Sequence, residues 1–283
     1  MKFHQKPASF VQSLTLKVKD LARSTKFYQE MMGFTVINED NEKVVFSVNG
    51  KDPILTLITF DSMLSLERGK TGLYHFAILL EKRSDLAKFI RHLIKSNYPL
   101  HGASDHHVSE ALYFSDPDGN GIEVYYDRSS EAWIWNNEEV YMVTDQLDIS
   151  DIMSTLDNTV WEKVPASTVL GHIHLHVRDI HESESFYKGL LGLDVVCRYG
   201  GQALFLSFNR YHHHIGLNTW NGLGAPAPNE RSVGLESYTI VYGTTQLLQE
   251  AIQCLEEVNY PMTKEGNHYV VNDPSSNKLF LTV

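Results

Sequence analysis

Histidine is the residue type in this chain whose chemistry most needs an explanation. The 283-residue sequence contains 14 histidines, and two groups of them are closely spaced. His172, His174 and His176 alternate along one predicted strand, so they share a face. Positions 212–214 are three consecutive histidines. Near neutral pH an imidazole can bind a metal or move a proton. A structural role within a strand, or a surface patch with loose metal affinity, stays open at this point.

The composition excludes several other classes of protein. With only Cys197 and Cys254, the chain has neither a disulfide scaffold nor a cysteine-rich zinc site, which favours a reducing cytoplasm. The net charge of −11 argues against a nucleic-acid binder, which typically carries an excess of basic residues. There is no run of 18 apolar residues and no apolar stretch typical of a signal peptide. We therefore expect a cytoplasmic globular protein without a nucleic-acid or membrane partner.

An internal repeat organises the sequence. Three pairs of similar segments recur at nearly the same spacing, with offsets of 159, 159 and 157 residues. Such agreement predicts two homologous halves. The repeat weakens the need for a dimer without excluding a homo-oligomer. The pairs are Ser13–Leu21 with His172–Ile180, Phe27–Phe34 with Phe186–Leu193, and Asp116–Asn120 with Asp273–Asn277.

Each half divides again into two similar modules. Strands are predicted to open near residues 13, 72, 171 and 234, and a helix follows each one, with Gly33 and Gly192 ending the first and third. The pattern predicts an α+β fold of four βαβββ modules in two homologous halves. We expect a first domain over 8–127, a linker over 128–168 and a second domain over 169–283. The predicted helices are 22–32, 84–96, 181–191 and 244–258.

Over nearly its whole length, the chain resembles the vicinal oxygen chelate superfamily. This superfamily includes glyoxalase I, extradiol ring-cleavage dioxygenases and bleomycin-resistance proteins. Two motifs carry the resemblance in combination: Phe-Tyr-x₃-(Met/Leu)-Gly-(Phe/Leu), found twice, and Asp-Pro-Asp-Gly-Asn-Gly-Ile-Glu at 116–123. The likeness is greatest to bacterial catechol 2,3-dioxygenase-like proteins. It implies that paired modules curl into open β-cups, one of which holds a divalent metal.

The resemblance also implies a set of metal ligands. Family members place a His at the start of the first strand of two modules and a Glu in the last strand of the second. His75 and Glu123 match in module two, and His172 matches in module three. Neither half alone holds a complete triad, so we hypothesise that modules two and three pair across the linker. The expected metal is Fe(II), and Mn(II) suits the same ligands. The corresponding positions of modules one and four hold Ser13, Ser237 and Phe280.

Three further residues match catalytic positions of the extradiol enzymes. The resemblance implies that His214 acts as acid or base beside O₂ and that His106 and Tyr113 orient the diol. The loop before Tyr113 is shorter here than in the family, so His107 is an alternative to His106. His214 could instead be a fourth metal ligand, and Tyr113 could be an ordinary strand aromatic.

These matches predict an extradiol dioxygenase that opens a catechol-type aromatic diol with O₂ at a 2-His-1-Glu metal. The sequence does not identify the diol. One alternative is a glyoxalase-type isomerase or thiol transferase, which would use four protein ligands around Zn or Ni. A second alternative is a non-catalytic protein that binds a small molecule in an aromatic cleft.

Overall fold

The computed structural model describes residues 2–283, and each module has the predicted order of one strand, one helix and three strands. Module one contains β1 (Phe10–Lys17), α1 (Leu21–Glu30), β2 (Thr35–Glu39), β3 (Lys43–Ser47) and β4 (Pro53–Ile58). Module two contains β5 (Gly72–Leu80), α2 (Arg83–Lys95), β6 (Gly102–Asp105), β7 (Ser109–Ser115) and β8 (Gly121–Asp127). The connecting segment contains β9 (Trp135–Asn136), β10 (Glu139–Val140), β11 (Asp145–Gln146) and α3 (Ile149–Ser154).

Modules three and four complete the chain. Module three contains β12 (Val169–His176), α4 (Ile180–Glu184) with a π-helical continuation (Ser185–Leu190), β13 (Asp194–Tyr199), β14 (Ala203–Ser207) and β15 (Ile215–Asn218). Module four contains β16 (Gly234–Val241), α5 (Thr245–Glu257), β17 (Met262–Glu265), β18 (His268–Asn272) and β19 (Lys278–Thr282). The α+β architecture predicted from the repeat is confirmed.

The two large sheets each combine modules from different halves of the sequence. One has eight strands in the order β17-β18-β19-β16-β1-β4-β3-β2, which are modules four and one. The other has nine strands in the order β11-β6-β7-β8-β5-β12-β15-β14-β13, which joins modules two and three through antiparallel pairing of β5 with β12. The hypothesis that modules two and three pair across the linker is therefore confirmed. The residue limits assigned to the two domains stay a prediction.

Local sequence signals explain where the first and third helices begin and end. Asp20 and Asp179 each stand at a helix N-cap, where the carboxylate accepts a backbone N–H of the first turn. Gly33 and Gly192 follow these helical segments with φ of 77° and 76°, a conformation that glycine adopts without a steric penalty. Within residues 2–283, no helix is both long and apolar enough to cross a membrane.

The two repeated sequence motifs bond to each other. The Tyr28 hydroxyl of the first Phe-Tyr motif donates to Asp116 of the module-two turn at 2.9 Å. The equivalent Tyr187 hydroxyl donates to Asp273 of the module-four turn, also at 2.9 Å. These buried bonds link module one to two and module three to four, whereas the sheets link two to three and one to four. The four modules are thus interlocked, and one hydrophobic cluster runs through both sheets.

Candidate metal centre

The three side chains predicted as metal ligands meet at the centre of the nine-stranded sheet. His75 lies on β5, which has Glu123 on β8 to one side and His172 on β12 to the other. Their ligand atoms all lie within 4.8 Å of one another. Oε2 of Glu123 is 3.0 Å from Nε2 of His75 and 3.1 Å from Nε2 of His172. Strand pairing therefore brings together residues that are distant in sequence.

This donor set fits a divalent cation. Nε2 of His75 is buried and has no hydrogen-bond partner, although it lies 3.0 Å from the Glu123 carboxylate. The nitrogen and the oxygen are close without the alignment of a hydrogen bond, as expected for atoms that converge on a common ligand. Two imidazoles and one carboxylate on a single face form the facial triad typical of non-haem Fe(II) sites.

Burial sets the protonation states at this centre. It lowers the pKa of His172 to about 4, against the opposing effect of Glu123, so this imidazole is neutral near pH 7. Burial alone would raise the pKa of Glu123, yet the neighbouring His172 and His75 hold that pKa well below its usual value. A neutral imidazole and an ionised carboxylate are the forms that bind a metal.

The triad opens into a cavity of about 550 Å³. Within residues 2–283, no lysine or arginine lines this cavity, and its walls are mainly aromatic and apolar. Residues 142–144 of the connecting segment form part of the wall, so the segment predicted as a linker also covers the site. Aromatic and aliphatic lining residues include Leu66, Tyr74, Val108, Phe205 and Trp220.

His106 and Tyr113 form a hydrogen-bonded pair in the cavity wall. Nδ1 of His106 lies 2.6 Å from the Val143 carbonyl oxygen, which can only accept, so we assign the hydrogen to Nδ1. Nε2 then accepts the Tyr113 hydroxyl at 2.6 Å. Burial, with the charge of Glu123, raises the pKa of Tyr113 well above its usual value, so it stays a phenol. His107, the alternative, is exposed and pairs with Asp145 outside the cavity.

His214, predicted as the acid or base, does not line the cavity. Its Nδ1 accepts the backbone N–H of Phe208 at 3.1 Å, and its Nε2 contacts the Phe3 carbonyl oxygen at 3.0 Å. The neighbouring His213 lines the cavity instead, with its ring centroid 4.1 Å from that of His172. Of the three consecutive histidines, His213 is thus the one whose side chain reaches the cavity, one residue from the predicted position. The same geometry removes His214 as a fourth ligand.

Two histidines outside the predicted set of site residues also reach the cavity. His174 and His176 follow His172 on the same strand face, and both line the cavity. Asn218 holds both rings: its Nδ2 donates to His174 Nε2 at 3.0 Å, and its Oδ1 accepts from His176 Nδ1 at 2.7 Å. The alternation by two along β12 is the signal that identifies them.

Comparison with known proteins agrees with this geometry. Residues 11–124 match the model of the Glyoxalase/Bleomycin resistance protein/Dioxygenase superfamily. The chain is 40% identical over 264 residues to the catechol-2,3-dioxygenase of Bacillus subtilis strain 168, an alignment that covers 92% of each protein.

Solved structures show the same fold at much lower identity. Glyoxalase I from Zea mays superposes with a TM-score of 0.60 and 15% identity, over 97% of this chain and 92% of the maize chain. The cppA protein of Streptococcus pneumoniae TIGR4 superposes with a TM-score of 0.56 and 13% identity, over 97% and 98% of the respective chains. At such identities the likeness supports the fold and not a shared activity.

Proposed function

Because the chain belongs to the glyoxalase/bleomycin resistance protein/dioxygenase superfamily, we propose that it is an extradiol dioxygenase that opens a neutral catechol-type ring with O₂. The observation that carries the proposal is the convergence of His75, His172 and Glu123 beside a His106–Tyr113 pair, in a cavity wide enough for an aromatic ring. The 40% identical relative named catechol-2,3-dioxygenase supports the same reaction class.

In this proposal His75, His172 and Glu123 hold Fe(II), and Mn(II) suits the same three ligands. When bound, the metal supplies coordination positions for the diol and O₂ and the electron transfer that ring cleavage requires. The protein contributes neutral imidazoles, an ionised carboxylate and a largely buried site around them.

The residues around the triad bind and deprotonate the diol. Tyr113 donates its hydroxyl hydrogen to His106, and its oxygen keeps a lone pair that can accept a diol hydroxyl. Since Val143 and His106 fix this oxygen, the ring enters in one orientation. His213 takes the role first predicted for His214, that of the base that receives a diol proton and later returns it.

The charge of the cavity favours a diol without a carboxylate. No lysine or arginine lines the cavity within residues 2–283, and the lining includes the negative Glu123. A carboxylate on the substrate would therefore lose its hydration without gaining a cationic partner, which is unfavourable. The aromatic and aliphatic wall suits catechol or an alkylcatechol.

The same features argue against a glyoxalase-type reaction. A thiol substrate that carries carboxylates would need cationic partners, and the described cavity lining offers no lysine or arginine. Such enzymes also use a fourth protein ligand, whereas the cluster found within residues 2–283 has three members. Both observations support the dioxygenase proposal.

The test is O₂ uptake with catechol after anaerobic loading with Fe(II), with the yellow semialdehyde product followed by absorbance. We expect His75→Ala to lose bound metal and product formation. Ser13→Ala, at the equivalent position of module one, should keep both. Stoichiometric Fe(II) binding without O₂ uptake on any neutral diol would refute the proposal.

A further inference from the structure

The cavity-facing His213 is the first member of a hydrogen-bonded chain that leads away from the cavity. Its Nδ1 lies 2.9 Å from Nδ1 of His212. On the other side of that ring, Nε2 of His212 lies 2.8 Å from Oδ1 of Asp127, the last residue of β8. Oδ2 of Asp127 accepts the Tyr211 hydroxyl at 2.9 Å. The cavity wall is thus connected to one half-buried carboxylate.

The carboxylate determines the direction of every hydrogen bond in this chain. An ionised Asp127 can only accept, so Nε2 of His212 carries a hydrogen and donates it. An imidazole that gives its one ring hydrogen to Asp127 has a lone pair on its other nitrogen, so Nδ1 of His212 accepts from Nδ1–H of His213. Neutral His213 then has no hydrogen on Nε2, which is the nitrogen left for the cavity.

Packing holds the chain in one arrangement. The His212 side chain is fully buried, and its ring lies 5.2 Å from that of Trp133 in the connecting segment. The Tyr211 hydroxyl, which donates to Asp127, is also 2.7 Å from the Tyr125 hydroxyl. The burial of His212 and Tyr211 strengthens the hydrogen bonds that these two residues make with Asp127.

We propose that His212 and Asp127 are positioning residues that fix His213 in the tautomer with hydrogen on Nδ1, so that its Nε2 can accept a diol hydroxyl. This inference rests on the proposed ring-cleavage function for its kinetic consequence. The tautomer itself is a property of the metal-free protein and can be measured without substrate.

Asp127→Asn reverses the chain with little change in shape. Within residues 2–283 the Tyr125 hydroxyl has no partner other than Tyr211, so it donates to Tyr211, whose own hydrogen then needs the side chain at 127 as acceptor. The Asn oxygen therefore faces Tyr211, and its NH₂ faces His212. Nε2 of His212 must then accept, its hydrogen moves to Nδ1, and His213 is left with hydrogen on Nε2. We expect kcat for catechol to fall about 100-fold or more, the effect of losing a positioned base. KM, bound metal and the unfolding midpoint should stay close to those of the wild type.

Two controls separate positioning from a structural role. Tyr211→Phe removes one bond to Asp127 but leaves its bond to His212, and should retain most of its kcat. Asp145→Asn makes the same change in an exposed carboxylate that pairs with His107, and should leave kcat unchanged. Equal losses of kcat, metal and stability in Asp127→Asn would indicate a structural role and overturn the inference.

The independent measurement is ¹⁵N NMR of the histidine rings in the metal-free protein. We expect His213 to show a protonated Nδ1 and an unprotonated Nε2, and the reverse in Asp127→Asn. Wild-type His213 with hydrogen on Nε2 would overturn the inference whatever the kinetics. If the tautomers agree but Fe(II) and catechol give no product, the proposed function fails and the assignment of the hydrogen-bonded chain stands.

Discussion

The charge of the cavity leads to a quantitative prediction about substrates. Methyl 3,4-dihydroxybenzoate and 3,4-dihydroxybenzoate present the same diol at the same ring positions, but only the second carries a charge. Within residues 2–283 the cavity lining contains no lysine or arginine. Leaving a desolvated charged group unpaired costs about 3 kcal/mol. We therefore expect kcat/KM to be roughly 150-fold higher for the ester, at 1.36 kcal/mol for each factor of ten.

A cation placed at the cavity wall should reduce this preference. Tyr199 lines the cavity and is 50% exposed, so Tyr199→Arg can present a guanidinium with little loss of packing. A charge-assisted hydrogen bond contributes about 1.5 kcal/mol, which would narrow the ratio about tenfold. Tyr141→Arg adds the same charge at a residue that is 46% exposed and does not line the cavity, and should leave the ratio unchanged.

The assay is initial-rate O₂ uptake with the Fe(II)-loaded protein, with both substrates measured under identical conditions. Wild-type turnover of the acid within a few-fold of the ester would refute the argument from cavity charge. Equal effects of Tyr199→Arg and Tyr141→Arg would show that overall charge, and not the cavity, controls selectivity.

Three further predictions concern stability. Fe(II) at about 100 times its dissociation constant should raise the free energy of unfolding by about 2.7 kcal/mol in anaerobic urea titrations, and His75→Ala should abolish the gain. Gly171→Ala would place a Cβ 1.8 Å from the Tyr125 hydroxyl oxygen and should lower the free energy of unfolding by about 1–3 kcal/mol. Gly189→Ala has open space around the new Cβ and should leave the free energy of unfolding unchanged. Equal effects of the two substitutions would contradict the packing argument. Burial lowers the pKa of His4 from 6.5 to about 4, so the unfolded chain binds the proton more tightly. Stability should therefore fall as the pH drops from 6.5 towards 4, by up to about 1.4 kcal/mol per pH unit from this group, and an equally steep fall in His4→Gln would contradict the assignment.

The sequence was sufficient to predict those features of the fold that depend on local or repeated residue patterns. The first and third helices end before Gly33 and Gly192, which adopt a backbone conformation that residues other than glycine rarely adopt. Modules one and four have Ser13 and Ser237 at the position where modules two and three have a candidate ligand histidine. This difference is likewise visible in the sequence, and it predicted which modules pair. The sheet order confirms that pairing. Roles for individual site residues stay predictions until variants are measured.

The sequence by itself determined the four modules, the order of their elements and a short set of candidate ligands, because periodicity, helix caps and repeats are properties of the chain. Only the tertiary structure decided that His213 and not His214 faces the cavity, because residues 212–214 lie in an irregular segment between β14 and β15, where packing sets the direction of each side chain. It also placed Asp127 behind His212, 85 positions away in the chain, and left the cavity without a cationic side chain within the described residues. Such arrangements depend on how side chains from distant segments meet after folding, and no local pattern encodes that.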